Sequence, residues 1–521
     1  MAQGFQQLQD HRLRKNNQFL KLAESLTPEL QLTTIIPRAI VGMNRDDTQP
    51  HGWIAEDITT LEQLKKERLN TGDEVILDLG THCVGYLNFG CEVVGSPQDA
   101  PVHLQFIFGE ITAEVAEDFS GYSGWLSSSW FQQEHRYLDV LPADIQLPRR
   151  YCCRYIKIRV VATSQKFGIK LNHIAFTCVS SARSLISLSR FNDPLLQKID
   201  DISVLTLKNC MQTVFEDGPK RDRRLWLGDL RLQALVNYQT FQQDSLVRRC
   251  LYLFAAVTRD DGMVAANLFM QPEVIADDTY LLDYSLFFVA TLADYFAQTG
   301  DRQTVVDLWP TAWRQIELAV ERLNADDLLQ DSEQWWAFID WHEQLNKQAS
   351  TQGVFIYCLQ KAIPLANAVA PQYSAGIEQL QHRLKEASLK KLWQPESGFF
   401  VSGDKQQLSW ASQVWMILAG VGDSAFQLAL INRLSSESPD ITPQTPYMMH
   451  HYVEALMKCG LYDKAEQEIK TYWGGMVNRG ADTFWEVFLP EKPYLSPYGS
   501  PLVNSYCHAW SCTPAWLLRQ K

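Results

Sequence analysis

Near Ser180 the hydrophobic pattern of this 521-residue chain changes its period from two to that of a helix, and it does not change back. Alternating apolar and polar residues give a strand one apolar face, whereas apolar residues at i, i+3 and i+4 give a helix an apolar stripe. The two halves therefore cannot share one layer. The reading is a multidomain β + α protein, with a sheet unit over residues 1–185 and a helical unit over residues 186–521.

Between about 75 and 178 the period of two is clear: Leu104, Phe106 and Phe108 alternate with polar neighbours, and Ile169, Leu171, Ile174 and Phe176 continue the pattern between Gly-containing turns. The plainest strand is Tyr155-Ile-Lys-Ile-Arg-Val-Val161, with Ile156, Ile158 and Val160 on one face and Lys157 and Arg159 on the other. Such segments predict an antiparallel β-sandwich. Residues before 73 read as a polar lead-in with a short helix at 60–70.

After Ser180, Asn192-Asp193-Pro194 supplies a cap residue followed by proline at the first helical position. Apolar helices follow at about 230–242, 281–299, 305–323, 354–370, 377–393, 408–419, 426–434, 448–459 and 462–472, with Gly300 and Gly460 placed as C-caps. No β segment is read between them. Helices joined by loops of uneven length, without a strict repeat, predict stacked hairpins in a toroid rather than a solenoid or a parallel-sheet fold.

Composition narrows the function classes. A net charge of -13 without a basic patch excludes a nucleic-acid partner, and no apolar run is long enough for a membrane. The polar N-terminus has no apolar signal core, which predicts a soluble cytoplasmic protein. Eleven cysteines without a paired C-x-x-C spacing fit reduced thiols and predict neither a disulfide framework nor a zinc site. Oligomeric state is open, with a homodimer among the alternatives.

The densest stretch is Asp217-Gly-Pro-Lys-Arg-Asp-Arg-Arg-Leu-Trp-Leu-Gly-Asp229. Carboxylates among arginines can be tuned apart in pKa, and a tryptophan beside them offers a face on which a sugar ring stacks. Sixteen tryptophans, among them Trp226, Trp341, Trp485 and Trp510 beside acidic or histidine residues, favour a sugar cleft. A second loop, Gly480-Ala-Asp-Thr-Phe-Trp-Glu486, carries one more carboxylate, and a third puts His508 beside Trp510. Cleaving a glycosidic bond needs one carboxylic acid and one carboxylate across a sugar, which these loops could supply jointly.

Two further acid-aromatic segments, Leu282-Asp283-Tyr284 and Phe338-Ile-Asp-Trp341-His342, fit a pocket wall or a helix cap equally well. His450 and His451 are adjacent, point apart and lack a third ligand, so no metal site is read there. Neither a phosphate loop, a dinucleotide fingerprint nor a G-x-S-x-G elbow occurs, and no cofactor is expected.

At the three loops the chain resembles the bacterial α-L-rhamnosidases of glycoside hydrolase family 78. The likeness rests on Gly218 to Asp229, on Tyr462 through Tyr472-Trp-Gly-Gly475 to Ala481-Asp-Thr-Phe-Trp-Glu486, and on Cys507-His-Ala-Trp-Ser511. It implies an N-terminal β-sandwich followed by an (α/α)6 barrel, inverting release of terminal α-L-rhamnose from small rhamnosides, and chemistry without a metal. By the resemblance Glu486 is the base that activates water, and Asp217, Arg221, Trp226, Asp229, Asp283, Trp341 and His508 hold the sugar.

The chain departs from the family's Arg-Asp-Glu-Arg-Leu-Gly-Trp, reading Arg221-Asp-Arg-Arg-Leu-Trp226. Counting back from Trp226 and Asp229 gives the acid's place to Asp222, and counting forward from Asp217 gives it to Arg223. Only Asp222 can donate a proton, so Asp222 is the expected general acid, with its carboxyl about 6.5–9.5 Å from that of Glu486. The alternatives are an α/α-barrel glycosidase for another sugar and a non-catalytic sugar-binding or sensing protein.

Overall fold

The computed structural model describes residues 12–186, 188, 190–332, 335–439 and 441–520. Residues 1–11, part of the N-terminal segment read above as lacking a signal core, lie outside the described residues. Nine strands of the N-terminal region form one antiparallel network. Its spine is the long strand Glu74–Gly95, which pairs with Ala39–Arg45 near its start, with Tyr151–Ala162, and with Phe167–Ser180 and Ala143–Gln146 in its second half.

The alternation read from the sequence falls on the interior. Leu104, Phe106, Phe108, Ile156, Ile158, Val160, Ile169, Leu171 and Phe176 are all at most 2% exposed. Burying each such side chain stabilises the fold by about 1.5–3 kcal/mol. The lead-in before residue 73 is more ordered than expected, with strands Gln31–Ile35, Ala39–Arg45 and Trp53–Thr59 and a helix shortened to Leu61–Leu64.

The start of the chain leaves the sheet altogether. Leu13–Lys15 pairs with Val257–Arg259, and helix Asn17–Ser25, capped by the Asn16 side chain, packs on helix Asp244–Ala256 with Phe19 against Tyr252. This arm belongs spatially to the helical region.

That region opens as the sequence predicts. The Asp193 carboxylate accepts from Leu195 N and Leu196 N, and Pro194 begins helix Pro194–Cys210. Helices Leu227–Gln239, Leu282–Thr299, Gln348–Val369, Trp410–Leu418 and Pro446–Lys458 touch one another in chain order. The short C-terminal helix Pro514–Leu517 touches both Pro446–Lys458 and Leu227–Gln239, so the path of contacts closes. Between them run outer helices such as Arg302–Val320 and Ser374–Lys391, with exposed faces.

Leu227–Gln239 is buried almost all round, which explains why its periodicity is weak and its expected bounds were three residues late. Gly300 ends Leu282–Thr299 at φ +66°, a conformation that disfavours any residue with a Cβ. The expected absence of β segments does not hold. Leu225–Trp226, Asn267–Phe269 and Ile275–Ala276 pair with one another, as do Trp393–Gln394, Phe399–Ser402 and Gln407–Leu408. Strands of two to four residues are too short to reveal a period.

A small apolar cluster that includes Val84, Cys152, Cys210 and Cys507 joins the sheet to the helices. All eleven cysteines are free thiols. Among the described residues no helix is long and apolar enough to cross a membrane.

Candidate active site

Backbone hydrogen bonds stitch the three sequence loops together. Ala509 N donates to Asp217 O, His508 N to Phe484 O and Glu486 N to Ser505 O, at 2.7, 2.8 and 3.0 Å. The Trp510 indole donates to Glu486 O at 2.9 Å. Segments almost three hundred residues apart are thereby fixed around one cavity of about 1010 Å³, large enough for a sugar ring and part of its substituent.

Asp217, Arg221, Asp222, Trp226, Asp229, Trp341, Glu486 and His508 all line this cavity. Its floor is buried: Asp217, Asp229, Glu486 and His508 are each at most 4% exposed. Glu486 is gripped at both carboxylate oxygens. Arg221 donates to Oε2, Tyr498 donates to Oε1, and Ser505 N lies 3.4 Å from Oε2. Arg221 is itself held by Val503 O at 3.2 Å and by the Tyr498 ring, 4.2 Å from the guanidinium carbon. Its other terminal nitrogen stands 3.8 Å from Asp222 Oδ1, so one guanidinium separates the two carboxyls.

Also on the floor, His508 lies between Asp229 (Nδ1 to Oδ1, 3.4 Å) and Asp217 (Nε2 to Oδ2, 3.8 Å). Burial, then the neighbouring Asp222 carboxyl, pushes Asp217 well above the carboxylate range, and burial, then Glu486, does the same to Asp229. Burial and the Arg221 charge lower His508 to about 3. His508 is therefore a neutral imidazole at neutral pH, and burial favours the protonated form of both aspartates.

Among the described residues, Asp229 Oδ1, His508 Nδ1, Trp226 Nε1 and Trp341 Nε1 are buried without a hydrogen bond. Unpaired buried polar atoms are costly. Two indole donors, a carboxyl oxygen and an imidazole nitrogen in one cavity match the mixed donors and acceptors of a polyol.

Arg223 is absent from the described cavity lining and holds φ +60°, with its side chain toward Arg150 and Glu216 of the neighbouring wall. Asp283, expected to contact the sugar, is not among the described lining residues either. It is fully buried, and its carboxylate accepts from Phe338 N at 3.0 Å and Ile339 N at 2.9 Å. It anchors the loop that carries Trp341. Trp485 packs on Phe488 and Tyr506 behind the site.

The sequence reading missed several wall residues: Tyr498, and Trp125, Leu126 and Trp130 from the sheet region, whereas Asp340 lies in the acid-aromatic segment read as a pocket wall or cap. The irregular stretch at 490–500 and the loop at 119–131 carry no periodicity, and only the fold brings them together. Trp125 Nε1 donates to Pro497 O at 2.9 Å, which ties the two loops.

The sheet region also braces the site from behind. The buried Lys220 ammonium donates to Glu114 and to the carbonyls of Leu502 (3.1 Å) and Asn504 (2.7 Å), while Glu110 accepts from Tyr506 N at 2.8 Å.

Two side-chain clusters elsewhere have metal-like composition. His82, Glu110 and Cys152 are mutually hydrogen-bonded at 3.0–3.1 Å, and Asn209 Nδ2 donates to His82 Nδ1, which leaves the His82 Nε2 proton for Glu110. His450 and His451 do not point apart as expected: with Glu454 they offer ligand atoms within 4.8 Å of one another. One helical turn aligns Glu454 with His450, and Arg231 stands 3.1 Å from His451 Nε2, a repulsive neighbour for a cation.

A family model described as the glycosyl hydrolase family 78 alpha-rhamnosidase N-terminal domain matches residues 37–178, and one described as the bacterial alpha-L-rhamnosidase 6 hairpin glycosidase domain matches residues 186–521. No curated protein matches the chain. Among solved structures, a rhamnosidase from Klebsiella oxytoca with rhamnose bound is 54% identical, with a TM-score of 0.96 over 98% of this chain and 99% of that one. A family 78 rhamnosidase of Bacillus sp. GL1 shares the fold at 22% identity and a TM-score of 0.74, over 90% of this chain and 49% of its own longer one. A Streptomyces avermitilis α-L-rhamnosidase complexed with L-rhamnose does so at 15% and 0.66, over 94% of this chain and 44% of its own. Matched along both its sheet-rich and its six-hairpin regions, the chain belongs to glycoside hydrolase family 78.

Proposed function

We propose that the protein is an inverting α-L-rhamnosidase that releases terminal rhamnose from small rhamnosides. Asp222 gives its proton to the glycosidic oxygen as the bond to the anomeric carbon breaks. Glu486 takes a proton from the water that attacks that carbon from the opposite face, so the sugar leaves as β-L-rhamnose. Asp217, Asp229 and His508 bind hydroxyls as neutral groups, and Trp226 and Trp341 donate from their indoles or stack on the ring.

The observation that carries this reading is the double grip on Glu486. Arg221 and Tyr498 fix the carboxylate on the cavity floor while the same guanidinium faces Asp222. An aligned base and an acid across a gap are what single displacement by water requires. Arg223 lies outside the described lining, which supports Asp222 as the acid.

The closed path of inner helices supports an (α/α)6 barrel, and the nine-stranded network supports a β-sandwich. We set the division between them near residue 185, with the arm at 13–25 returning to the barrel. Eleven free thiols support a cytoplasmic location.

The test is hydrolysis of 4-nitrophenyl α-L-rhamnoside by the wild type, Asp222→Asn and Glu486→Gln, with the anomer released followed by NMR. β-L-Rhamnose first, and loss in both variants, is expected. α-L-Rhamnose first would mean a retaining route, full activity in Asp222→Asn would move the acid elsewhere, and no wild-type turnover would leave a sugar-binding protein or another sugar.

A further inference from the structure

The cavity lining carries more acidic than basic side chains, and the acids nearest solvent are ionised. Among its described lining residues nine are aspartate or glutamate and three are lysine or arginine. The three basic groups are engaged: Arg221 with Glu486, Arg224 with Asp277 at 3.4 Å, and the Lys347 ammonium with Ala337 O at 2.7 Å. Burial also lowers the Lys347 pKa.

The acids are not spread evenly in depth. Those on the floor are buried, whereas Asp331 and Glu343 are exposed at the mouth, with Asp278 partly so. Trp125, 46% exposed, stands at the same mouth and is fixed there through its bond to Pro497 O. A terminal sugar seated on the buried floor must project its leaving group past these residues. That group meets an indole and the carboxylates of Asp278, Asp331 and Glu343, with no uncommitted cation among the described lining residues.

We propose that the mouth is a leaving-group subsite that accepts neutral or cationic, flat-faced groups and rejects anionic ones, with Trp125 and Glu343 as specificity-determining residues. This rests on the glycosidase reading above and names the substrate class of that site. A carboxylate on the leaving group would approach several like charges in a cleft with low-dielectric walls, where repulsion is focused and salt-sensitive. Uronate-linked rhamnosides would therefore be poor substrates, and neutral glycosides good ones.

The experiment compares kcat/KM for three phenyl α-L-rhamnosides whose 4-substituent is a carboxamide, a carboxylate or an aminomethyl group. At low salt the amide is expected to exceed the carboxylate about tenfold, and the gap should close to roughly twofold at about 0.5 M salt. The aminomethyl substrate should instead lose rate as salt rises. Glu343→Gln combined with Asp331→Asn should narrow the amide-to-carboxylate ratio at low salt, and Trp125→Ala should raise KM for all three. Equal rates for amide and carboxylate, or a ratio that salt and the double variant leave unchanged, would overturn the charge selection while leaving the glycosidase reading intact. No turnover of the amide would overturn both.

Discussion

The Tyr498 hydroxyl donates to Glu486 Oε1 at the floor of the cavity, opposite the bond from Arg221 to Oε2. Burial, despite the Arg221 charge, pushes the Tyr498 hydroxyl well above 10, so it remains a donor throughout the working range. A carboxylate held at both oxygens cannot rotate freely, which is what the proposed role of Glu486 as base requires. Tyr498→Phe removes one hold without changing the ring that covers Arg221.

The expected result is a fall in kcat of roughly 10- to 100-fold with little change in KM, against a fall of about 1,000-fold or more for Glu486→Gln. A variant that only loosened the fold would instead lose melting temperature in proportion to activity. Steady-state kinetics together with thermal melts separate the two.

Asp283 anchors the loop that carries Trp341, and an effect on sugar binding is expected to pass through that loop. Asp283→Ala leaves the amides of Phe338 and Ile339 without their acceptor, at a cost of about 2–4 kcal/mol for two buried donors. Ile339 sits at φ +55°, a strained position for a β-branched residue, so the loop is expected to relax once released. Faster amide exchange over 336–342 and a KM raised about tenfold would match this role. Unchanged exchange with weakened binding would instead restore a direct contact with the sugar.

Asp340 gives a pH signature of stability. Burial, only partly offset by bonds from Gln444 N, Thr445 Oγ1 and Trp341 N, pushes its carboxyl from 3.8 to about 6. A carboxyl raised in the folded state binds more protons folded than unfolded between these values. Its contribution is therefore complete below pH 3.8 and is lost as the pH rises through about 6. Urea melts of wild type and Asp340→Asn across this range isolate it. The stability advantage of the wild type should shrink by up to about 3 kcal/mol from pH 4 to pH 6.5; a constant difference would place the Asp340 proton elsewhere.

How much of this was legible in the chain follows from what each residue answers to. Phe106 and Ile158 answer to a local alternation, and both are buried in the sheet as read. Asp217, Glu486 and His508 were legible as three dense loops, although nothing local says that Ala509 N reaches Asp217 O. Tyr498 was not legible, because its work depends on Glu486 twelve residues away and on Arg221, which only the fold brings against its ring. At Asp283 the sequence left two readings open, because an acid beside an aromatic at a helix start suits a sugar contact and a loop anchor equally. The partner decides between them, and it lies fifty-five residues away.

The last prediction concerns the bracing of the site by the sheet region. Lys220 precedes Arg221, and its ammonium is buried among Glu114, Leu502 O and Asn504 O, with Glu110 Oε2 at 3.8 Å. Removing one member of a buried ion pair strands the other, so Lys220→Met and Glu114→Leu should each destabilise by about 3–5 kcal/mol. The double variant should lose less than the sum, with a coupling of roughly 1–3 kcal/mol, because neither charge is then stranded. The two carbonyls and Glu110 remain, so recovery is incomplete. Activity should fall in both single variants, since the backbone that Lys220 fixes at 502–504 is the same backbone that holds Arg221 through Val503 O. Additive losses in chemical melts would mean that the ammonium does not transmit the position of Glu114 to the backbone that holds Arg221.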